Sequence, residues 1–468
     1  MKDKYFKKLL LVSALSLTMA YTATSCADHV SPLDTNDMAQ AAQTHRLTKE
    51  SLNEWVQGLQ VALPFYHIEL KSYEDLDPEH SSATILVSMG SVENADNGIY
   101  LETWLKLDME HGFKSENGIA SVARIDYDAE TGDASTPWLF NFATVATKLL
   151  ESFKYESVAV IKPSGEFYSE SKSTEPFHLN EDSLNITIPS FTSSMETYAG
   201  KRLLRMEADI PLITFQKSSD NLLLVHNVHL RGTDRMVREG VYHFNGKTEF
   251  NVEKVEFLEN GENLLELNNL RYTENSKVDE NGLFQGYYTT QFSGQESIFS
   301  KATNNAPATN KFHFELMGQV QNFHAQSYIT WYRTYIDNPV GLLNRGKSLV
   351  DIIAYGPQLS VEKATLTING HQGEGSLKVE LPPFTASEKE MPLALLMLAK
   401  LEVSGDIRVP VEWLELIEPD KNERENAIQK WLENTDHYIE LKDNYLALNF
   451  SYKDGNLLVN GKDIGLLK

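Results

Sequence analysis

The chain is dominated by segments in which apolar and polar residues interleave, and this pattern predicts β-strands. Residues 84–89, 100–107 and 445–450 are three examples. Strands of this composition offer one face to a core and the other to water, which is typical of antiparallel sheets. We therefore expect most of the chain to form antiparallel β-sheet.

Asparagine–glycine and aspartate–glycine pairs separate the strand segments. Such pairs are preferred in two-residue hairpin loops, because both residues tolerate a positive φ angle. Residues 364–368, for example, are expected to pair with residues 375–381 across Asn369-Gly370. The other pairs predicted to form turns are Asn97-Gly98, Asn117-Gly118, Asn245-Gly246, Asn260-Gly261, Asn281-Gly282, Asp454-Gly455 and Asn460-Gly461.

Helical patterns are few and lie between the groups of strands. Thr48 is expected to open the first helix, which continues to Leu59. Thr136-Pro137 has the cap and first-position proline that start another helix, over residues 138–153. The remaining predicted helices cover residues 326–336, 342–353, 392–401 and 423–432. The predicted fold class is α+β, with large, strongly twisted antiparallel β-sheets and a few short helices packed on one face.

The N-terminus has the features of a bacterial export signal. A leader with four lysines precedes an apolar run, residues 9–23, and small residues then lead to Cys26. This order of basic, apolar and small residues is typical of a secretory signal. We expect a signal segment over residues 1–25 and a polar tether over residues 26–46. A β-rich part over residues 47–245 and another over residues 246–468 follow.

Three fates are open for the signal segment. Cys26 is the lipidation site of a lipoprotein in the first, although Ala23 stands where a lipobox usually has leucine. In the second, an ordinary signal peptidase cuts at the small residues around Cys26, which is then lost. In the third, the segment stays uncut as a membrane anchor, but it is shorter than the roughly 20 apolar residues of a spanning helix. We favour the first, a membrane-anchored lipoprotein that faces the periplasm.

Acidic residues outnumber basic ones, and this narrows the range of partners. The formal net charge is −24, and removal of the leader's four lysines and one aspartate brings it to −27. Nucleic acid is not an expected partner, because phosphate binding depends on Lys and Arg. Cys26 is the single cysteine of the sequence. We therefore expect neither a disulfide framework nor a thiolate metal site.

Several blocks in the C-terminal half resemble those of a known family. They include LVDIIAYGPQLSV at residues 349–361, ATLTING at residues 364–370 and YKDGNLLVNGK at residues 452–462. Over residues 246–468 the chain resembles the YdgA-like family of uncharacterised bacterial envelope proteins, a family of unknown function. The resemblance implies a fold of strands and turns and attachment to a membrane at the N-terminus. It implies no catalytic residues.

One motif matches a phosphate-binding loop. Residues 341–348 read GLLNRGKS, which satisfies the pattern G-x-x-x-x-G-K-[ST]. A working loop requires a buried strand before Gly341 and a helix whose N-terminal amides face the phosphates. The preceding residues 328–336 are predicted to be helical instead. We therefore interpret the motif as a turn between helices.

A histidine pair has the residue type and the i, i+3 spacing of a helical zinc site. His226 and His229 would share one face of a helix, where both imidazoles could bind the same ion. Residues 222–230 are predicted to be a strand, however, and side chains three positions apart on a strand point to opposite faces. We therefore expect no metal at this pair.

Two further clusters have a structural and a functional interpretation. The acidic cluster around Pro78 lacks the spacing of a calcium loop, so we expect a solvated turn. Its members are Asp75, Asp77, Glu79 and His80. The second cluster consists of aromatic residues that recur at helical spacing. We expect these residues to pack against the sheet rather than line a binding groove. Its members are Tyr328, Trp331, Tyr332 and Tyr335.

No catalytic, cofactor-binding or metal-binding residue stands out in the sequence. We expect a non-enzymatic cell-envelope protein that is anchored to a membrane through its N-terminus and requires no cofactor. Its long half-apolar sheets would bind a hydrophobic ligand such as a lipid, or an envelope protein. Two alternatives stay open: a structural or assembly factor without a ligand, and a hydrolase with a site that the sequence does not reveal.

Overall fold

The computed structural model describes sixteen stretches of the chain. They are residues 30–32, 38–62, 66–89, 101–115, 118–131, 154–162, 166–181, 184–198, 203–218, 221–238, 241–297, 309–337, 346–385, 387–416, 420–434 and 438–464. The predicted signal segment, Cys26, the turn at Asn97-Gly98 and the helix predicted over residues 138–153 lie outside them.

Strands make up most of the described chain. The first twelve are β1 (Val30–Pro32), β2 (His67–Asp75), β3 (His80–Met89), β4 (Leu101–Ser115), β5 (Gly118–Thr131), β6 (Tyr155–Ile161), β7 (Glu166–Ser173), β8 (Phe177–Glu181), β9 (Leu184–Ile188), β10 (Thr192–Tyr198), β11 (Leu203–Ser218) and β12 (Asn221–Arg238). The others are β13 (Val241–Glu259), β14 (Glu262–Val278), β15 (Leu283–Glu296), β16 (Asn310–His324), β17 (Gln358–Ile368), β18 (His371–Glu380), β19 (Glu402–Pro410), β20 (Glu440–Lys442), β21 (Tyr445–Lys453), β22 (Asn456–Val459) and β23 (Lys462–Asp463).

Within the described stretches helices are few, as the sequence predicts. They are α1 (Met38–Ala62), α2 (Ala325–Asp337), α3 (Gly346–Ile353), α4 (Leu393–Lys400) and α5 (Lys421–Asn434), with short 3-10 turns at Glu388–Glu390 and Val411–Leu416. The α+β class is therefore confirmed in outline. The sheet is antiparallel, and the fold is mostly β.

The chain forms two compact units that interleave along the sequence. The first lies within Met1–Phe215, Asn227–Thr248 and Ile329–Asn344. The second lies within Gln216–His226, Glu249–Tyr328 and Arg345–Lys468. Strands β12 and β13 contribute residues to both units, so neither unit is one continuous stretch of sequence.

In the first unit, α1 packs on an antiparallel sheet with the strand order β2-β3-β4-β5-β6-β7-β10-β11. The apolar side chains of α1 recur at positions i, i+3, i+4 and i+7 and therefore form one stripe along the helix. This stripe and the sheet residues below it form one buried cluster, whose members include Leu52, Trp55, Val56, Leu59, Ile85, Leu107, Ala123, Ile161 and Phe167. The rings of Trp55 and Phe167 stack with their centroids 3.9 Å apart.

Helix α1 begins at Met38, so the predicted start at Thr48 is wrong. The Thr48 hydroxyl donates a hydrogen bond of 2.7 Å to the carbonyl oxygen of Thr44, one turn earlier. A threonine that bonds back in this way lies inside a helix, whereas a capping threonine bonds forward to free backbone amides. Within the segment predicted as a tether, β1 also pairs with β4. The described part of residues 26–46 is therefore folded.

The second unit contains an antiparallel sheet with the order β14-β15-β16-β17-β18-β19-β21-β22-β23. Four predicted turns have positive φ at both central residues, as two-residue hairpin loops require. They are Asn260-Gly261, Asn369-Gly370, Asp454-Gly455 and Asn460-Gly461. At Asn281-Gly282 only the glycine has positive φ, and the side chain of Asp279 accepts the amides of Asn281 and Leu283.

The turn predicted at Asn245-Gly246 is wrong, because β13 runs through both residues. Strand pairing depends on the whole sheet, and here the tertiary context overrides a local turn signal. Asn117 lies outside the described residues, and Gly118 is the first residue of β5. The helices predicted over residues 326–336, 392–401 and 423–432 correspond to α2, α4 and α5. The described part of the segment 342–353 is α3.

Candidate functional site, a half-exposed apolar sheet face

The register of the second unit's sheet divides its side chains into two chemically different faces. Residues that are cross-strand partners lie on the same face, and alternate residues along a strand lie on opposite faces. One row of partners therefore crosses seven strands, β15 to β19, β21 and β22. It reads Tyr288, Gly318, Val361, Leu377, Gly405, Phe450 and Val459.

Two neighbouring rows on the same face are equally apolar. The next row in one direction reads Thr290, Leu316, Ala364, Gly375, Ile407 and Leu448, with a β-bulge between Val361 and Ala364 in β17. The row in the other direction reads Gly286, Val320, Leu359, Val379, Val403, Tyr452 and Leu457. We call these three rows together the apolar face.

The opposite face of the same strands is polar. Its ion pairs include Glu315 with Lys363, whose charged groups lie 2.6 Å apart, and Glu374 with Arg408, whose charged groups lie 3.0 Å apart. Exposed ion pairs of this kind are typical of a solvated surface. The prediction of half-apolar antiparallel strands is therefore confirmed in this unit.

The apolar face is not buried in the way that the first unit's sheet is. Under α1, Ile85 and Leu107 are 0% and 1% exposed. On the apolar face, Ile407 and Leu359 are 40% and 38% exposed, and most other aliphatic and aromatic members are half-buried. Sheet faces of this composition normally pack against a second layer. A face of this extent that remains accessible marks a binding surface more often than a structural one.

Helices α3 and α4 form a small core near one end of these strands. Val350, Ala354, Leu381, Phe384 and Leu396 form its buried cluster. Leu381 directly follows β18, so this core lies where the strands end. The middle rows of the apolar face are not members of it.

Aromatic rings on the apolar face lie across glycines of the adjacent strand. A side-chain carbon added to Gly405 would lie 2.6 Å from the Phe450 ring, and one added to Gly294 would lie 2.7 Å from the Phe312 ring. Tyr288 occupies the same position over its partner Gly318, and its hydroxyl donates to the carbonyl oxygen of Ser360 at 3.3 Å. Such glycine–aromatic pairs stabilise sheets at positions where glycine has no side chain to pack. Because the rings lie flat, they keep the relief of the face low.

Polar residues bound the apolar face at the hairpin end of its strands. The amide of Asn310 donates to Glu296 at 2.6 Å, and the amide of Asn369 donates to Asn310 at 2.8 Å. Glu296 and Asn310 are cross-strand partners and nearly buried. On β14, Tyr272 donates to Glu274 at 2.8 Å, and burial followed by the Glu274 charge raises the pKa of Tyr272. These polar groups are already bonded to one another.

A second cluster, buried in the first unit, has the residue types of a catalytic site. Nδ1 of His111 lies 2.7 Å from the hydroxyl of Ser121, and Nε2 lies 2.9 Å from the hydroxyl of Ser81. The network continues from Ser121 to Thr48 at 2.7 Å and from Ser81 to Tyr73 at 3.0 Å. A serine beside a histidine is the pairing that nucleophilic catalysis uses.

The burial of this cluster indicates a structural role. Ser81 and Ser121 are 1% and 0% exposed, so no substrate reaches either hydroxyl in this structure. Burial, followed by the nearby His45 and His80, lowers the pKa of His111 to about 4. The imidazole is therefore neutral at neutral pH, and its one donor and one acceptor match the two serine hydroxyls. Sequence reasoning missed this network, because its members come from α1 and four separate strands, β2 to β5.

The acidic cluster around Pro78 forms a turn, as predicted. The carboxylate of Asp77 accepts the backbone amides of Glu79 and His80 and the Nδ1 of His80, at 2.8 to 2.9 Å. These bonds lower the pKa of Asp77 and raise that of His80. Nε2 of His45 lies 2.8 Å from Asp75. In the part of the chain that the structure describes, no group of three or more His, Cys, Asp or Glu side chains is arranged to hold a metal ion.

The two histidines of the candidate zinc pair have different partners. Both lie in β12, as the strand prediction requires. Nε2 of His226 is 2.9 Å from Glu256, whereas Nδ1 of His229 is 2.6 Å from Asp209. The structure therefore does not bring them together as ligands of one ion.

The phosphate-loop motif lies partly outside the described residues. Gly346, Lys347 and Ser348 are the first residues of α3, and the described element before the motif is helix α2. The strand that a phosphate-binding loop requires is therefore replaced by a helix at that position.

In α2, Tyr328 is 42% exposed and the adjacent Ile329 is buried. The expectation that the aromatic cluster packs against the sheet stays a prediction: Tyr328 is partly exposed, and Trp331 is half-buried. The side chains of Tyr332 and Tyr335 lie outside the described part of the structure.

Residues 80–466 match the model of a family described as bacterial protein of unknown function (DUF945). The chain belongs to this family. The match covers the whole apolar face and also reaches through most of the first unit, well beyond residues 246–468. Neither a curated protein nor a solved structure matches the chain. In the described part of this DUF945 protein, no helix is both long and apolar enough to cross a membrane.

Proposed function

We propose that this DUF945 protein, of the YdgA-like type, is a non-enzymatic cell-envelope protein that binds a hydrophobic ligand on its apolar face. It is anchored at its N-terminus, with Cys26 as the lipidation site. One observation carries the proposal: three rows of apolar side chains cross the sheet of the second unit and remain half-exposed. Covering them releases water from a large apolar surface, and that release is the main driving force for binding hydrophobic molecules.

The hydrolase alternative receives less support. The Ser–His network at His111 is sealed from solvent, and its histidine is held as a neutral acceptor and donor between two hydroxyls. The apolar face, in contrast, is accessible but carries no nucleophile beside a base. A structural or assembly factor is distinguished from a ligand-binding protein by whether molecules are retained on this face.

The test compares molecules that co-purify with three versions of the full chain. Hydrophobic molecules are extracted from wild type, Ile407→Glu and Ser404→Glu and are quantified by mass spectrometry. Ile407 lies on the apolar face, whereas Ser404 is exposed on the polar face of the same strand. The two variants therefore add the same charge to β19 on opposite faces, and the N-terminal anchor is identical in all three.

We expect the yield of bound molecules to fall by about tenfold in Ile407→Glu, since a carboxylate cannot be covered by an apolar ligand without a large desolvation cost. Ser404→Glu should retain the wild-type yield. Circular dichroism and a urea unfolding curve show that both variants fold. Equal yields in all three folded proteins would contradict the proposal and favour a role without a ligand.

A further inference from the structure

We infer that the ligand of the apolar face is the hydrocarbon chain of a membrane lipid, and that it lies across the strands over the glycine–aromatic pairs. This inference rests on the proposed function, because it names the chemical class that the same face would bind.

The rows have the dimensions of lipid chains. The row from Tyr288 to Val459 crosses seven strands. Six spacings of about 4.8 Å give a length of roughly 29 Å. The hydrocarbon core of a bilayer, which contains the chains of two leaflets, is about 30 Å thick. One row therefore offers room for two lipid chains placed end to end.

The low relief of the face suits a long and thin ligand. Tyr288 and Phe450 lie down over the glycines opposite them instead of standing up from the sheet. Between these two pairs, the row continues with Val361 and Leu377. A flexible chain can contact this whole row in one layer. A globular partner, in contrast, is usually held by a few aromatic anchors that enter pockets.

The contacts that the rows can form are mainly hydrophobic, and hydrophobic contacts are non-directional. The Tyr288 hydroxyl is bonded to Ser360, and the backbone groups of the rows are paired with neighbouring strands. A protein partner usually forms about one hydrogen bond per 100–200 Å² of interface. Besides Tyr288, only Thr290 and Tyr452 in the three rows have side chains with a hydrogen-bonding group, so the rows offer few such bonds. A hydrocarbon chain requires none. The net charge of −24 disfavours contact with anionic headgroups, so contact through the chains is the mode that fits.

The test uses a lipid probe in living cells that express the full chain. Cells are fed a fatty acid that carries a photoreactive diazirine on its chain, irradiated, and lysed. The protein is purified, and cross-linked peptides are mapped by mass spectrometry. We expect cross-links in β16 to β19, on peptides that contain Leu316, Val361, Leu377 or Ile407. The cross-link yield on these peptides should fall by about tenfold in Ile407→Glu and stay unchanged in Ser404→Glu.

Each other outcome overturns the inference in a distinguishable way. If hydrophobic molecules co-purify with wild type but not with Ile407→Glu, and the diazirine chain labels other peptides alone, the proposed function stands and the lipid-chain inference fails. If no molecule co-purifies and no cross-link forms, both fail. If cross-links are absent and sedimentation shows a dimer that Ile407→Glu dissociates, a second copy covers the face instead.

Discussion

Nδ1 of the buried His111 lies 2.7 Å from the hydroxyl of Ser121, its cross-strand partner in β5. The second ring nitrogen meets Ser81 on β3, and the ring stacks on His45 of α1 with centroids 4.4 Å apart. Sheet and helix are thus joined at one titratable group. Because that group is neutral in the folded protein, its protonation opposes the packing of α1.

The first prediction concerns the pH dependence of stability. The pKa of His111 is about 4 in the folded protein and about 6.5 when unfolded. Between these values the unfolded state binds the proton first, so the free energy of unfolding falls as the pH falls through this window. Above pH 6.5 the penalty is absent. Between pH 7.5 and 4.5, His111 should account for a loss of about 2–3 kcal/mol.

The measurement is urea unfolding at both pH values for wild type and His111→Asn. The variant should be less stable than wild type at pH 7.5, because it disturbs the buried hydrogen bonds, but its stability should change less between the two pH values. A variant with the same pH dependence as wild type would show that His111 is not the responsible group.

The second prediction tests the glycine–aromatic pairs. Gly405→Ala places a carbon 2.6 Å from the Phe450 ring and 3.0 Å from a backbone oxygen of Ser376, so the ring has to rise from the sheet. Overpacking of this kind typically costs about 1–3 kcal/mol. Gly375→Ala on the adjacent strand is the matched control, because its nearest neighbours lie at 3.5 and 4.0 Å. Gly375→Ala should change the free energy of unfolding by less than about 1 kcal/mol. Urea unfolding curves of the two variants are compared, and a loss seen only in Gly405→Ala is due to displacement of the ring, not to alanine in general.

The third prediction concerns the helix that covers the first unit. Trp55→Ala removes a ring that is stacked on Phe167 and almost fully buried, and such truncations cost about 3–5 kcal/mol. Asn53→Ala removes an exposed side chain two residues earlier on α1, so it should cost less than about 0.5 kcal/mol. Thermal unfolding of both variants checks the difference. Similar losses would mean that α1 does not depend on this contact.

The fourth prediction concerns the anchor. Cells that express wild type or Cys26→Ser are labelled with a palmitate analogue, and the purified chains are compared for the attached label. Wild type should carry the label and the variant should lose it, because Cys26 is the single thiol in the sequence. Equal labelling of both chains would end the lipidation proposal, and an unlabelled wild type would favour one of the two other fates of the signal segment.

The hairpins could be predicted from sequence because their cause is local. Asn369-Gly370 has positive φ at both positions, and these two residues supply that conformation at little cost. Asn245-Gly246 carries the same signal but lies inside β13, since strand pairing depends on residues far away in the sequence. The existence of an antiparallel sheet with one polar face followed from the composition of its strands, whereas its register did not.

The candidate sites were less predictable, because no fixed spacing encodes them. Thr48 and Ser121 are 73 positions apart, yet their hydroxyls lie at 2.7 Å. Only the packing of α1 on β5 brings them together. Likewise, the exposure of Ile407 cannot be seen in a pattern of alternating residues, because the pattern is the same whether or not a second layer covers the face. For the phosphate-loop motif the local sequence pattern is present, but the described element before it is a helix instead of the strand that a phosphate-binding loop requires.

If Cys26 carries a lipid, as proposed, the short strand β1 limits the distance between that lipid and the first unit. Val30 pairs with Ser115, and only three residues separate Cys26 from Val30. A chain spans at most about 3.6 Å per residue, so the four steps from Cys26 to Val30 cover about 14 Å. A lipid attached to Cys26 would hold β1, and the sheet of the first unit with it, against the membrane surface. The first unit would then stay at the bilayer surface.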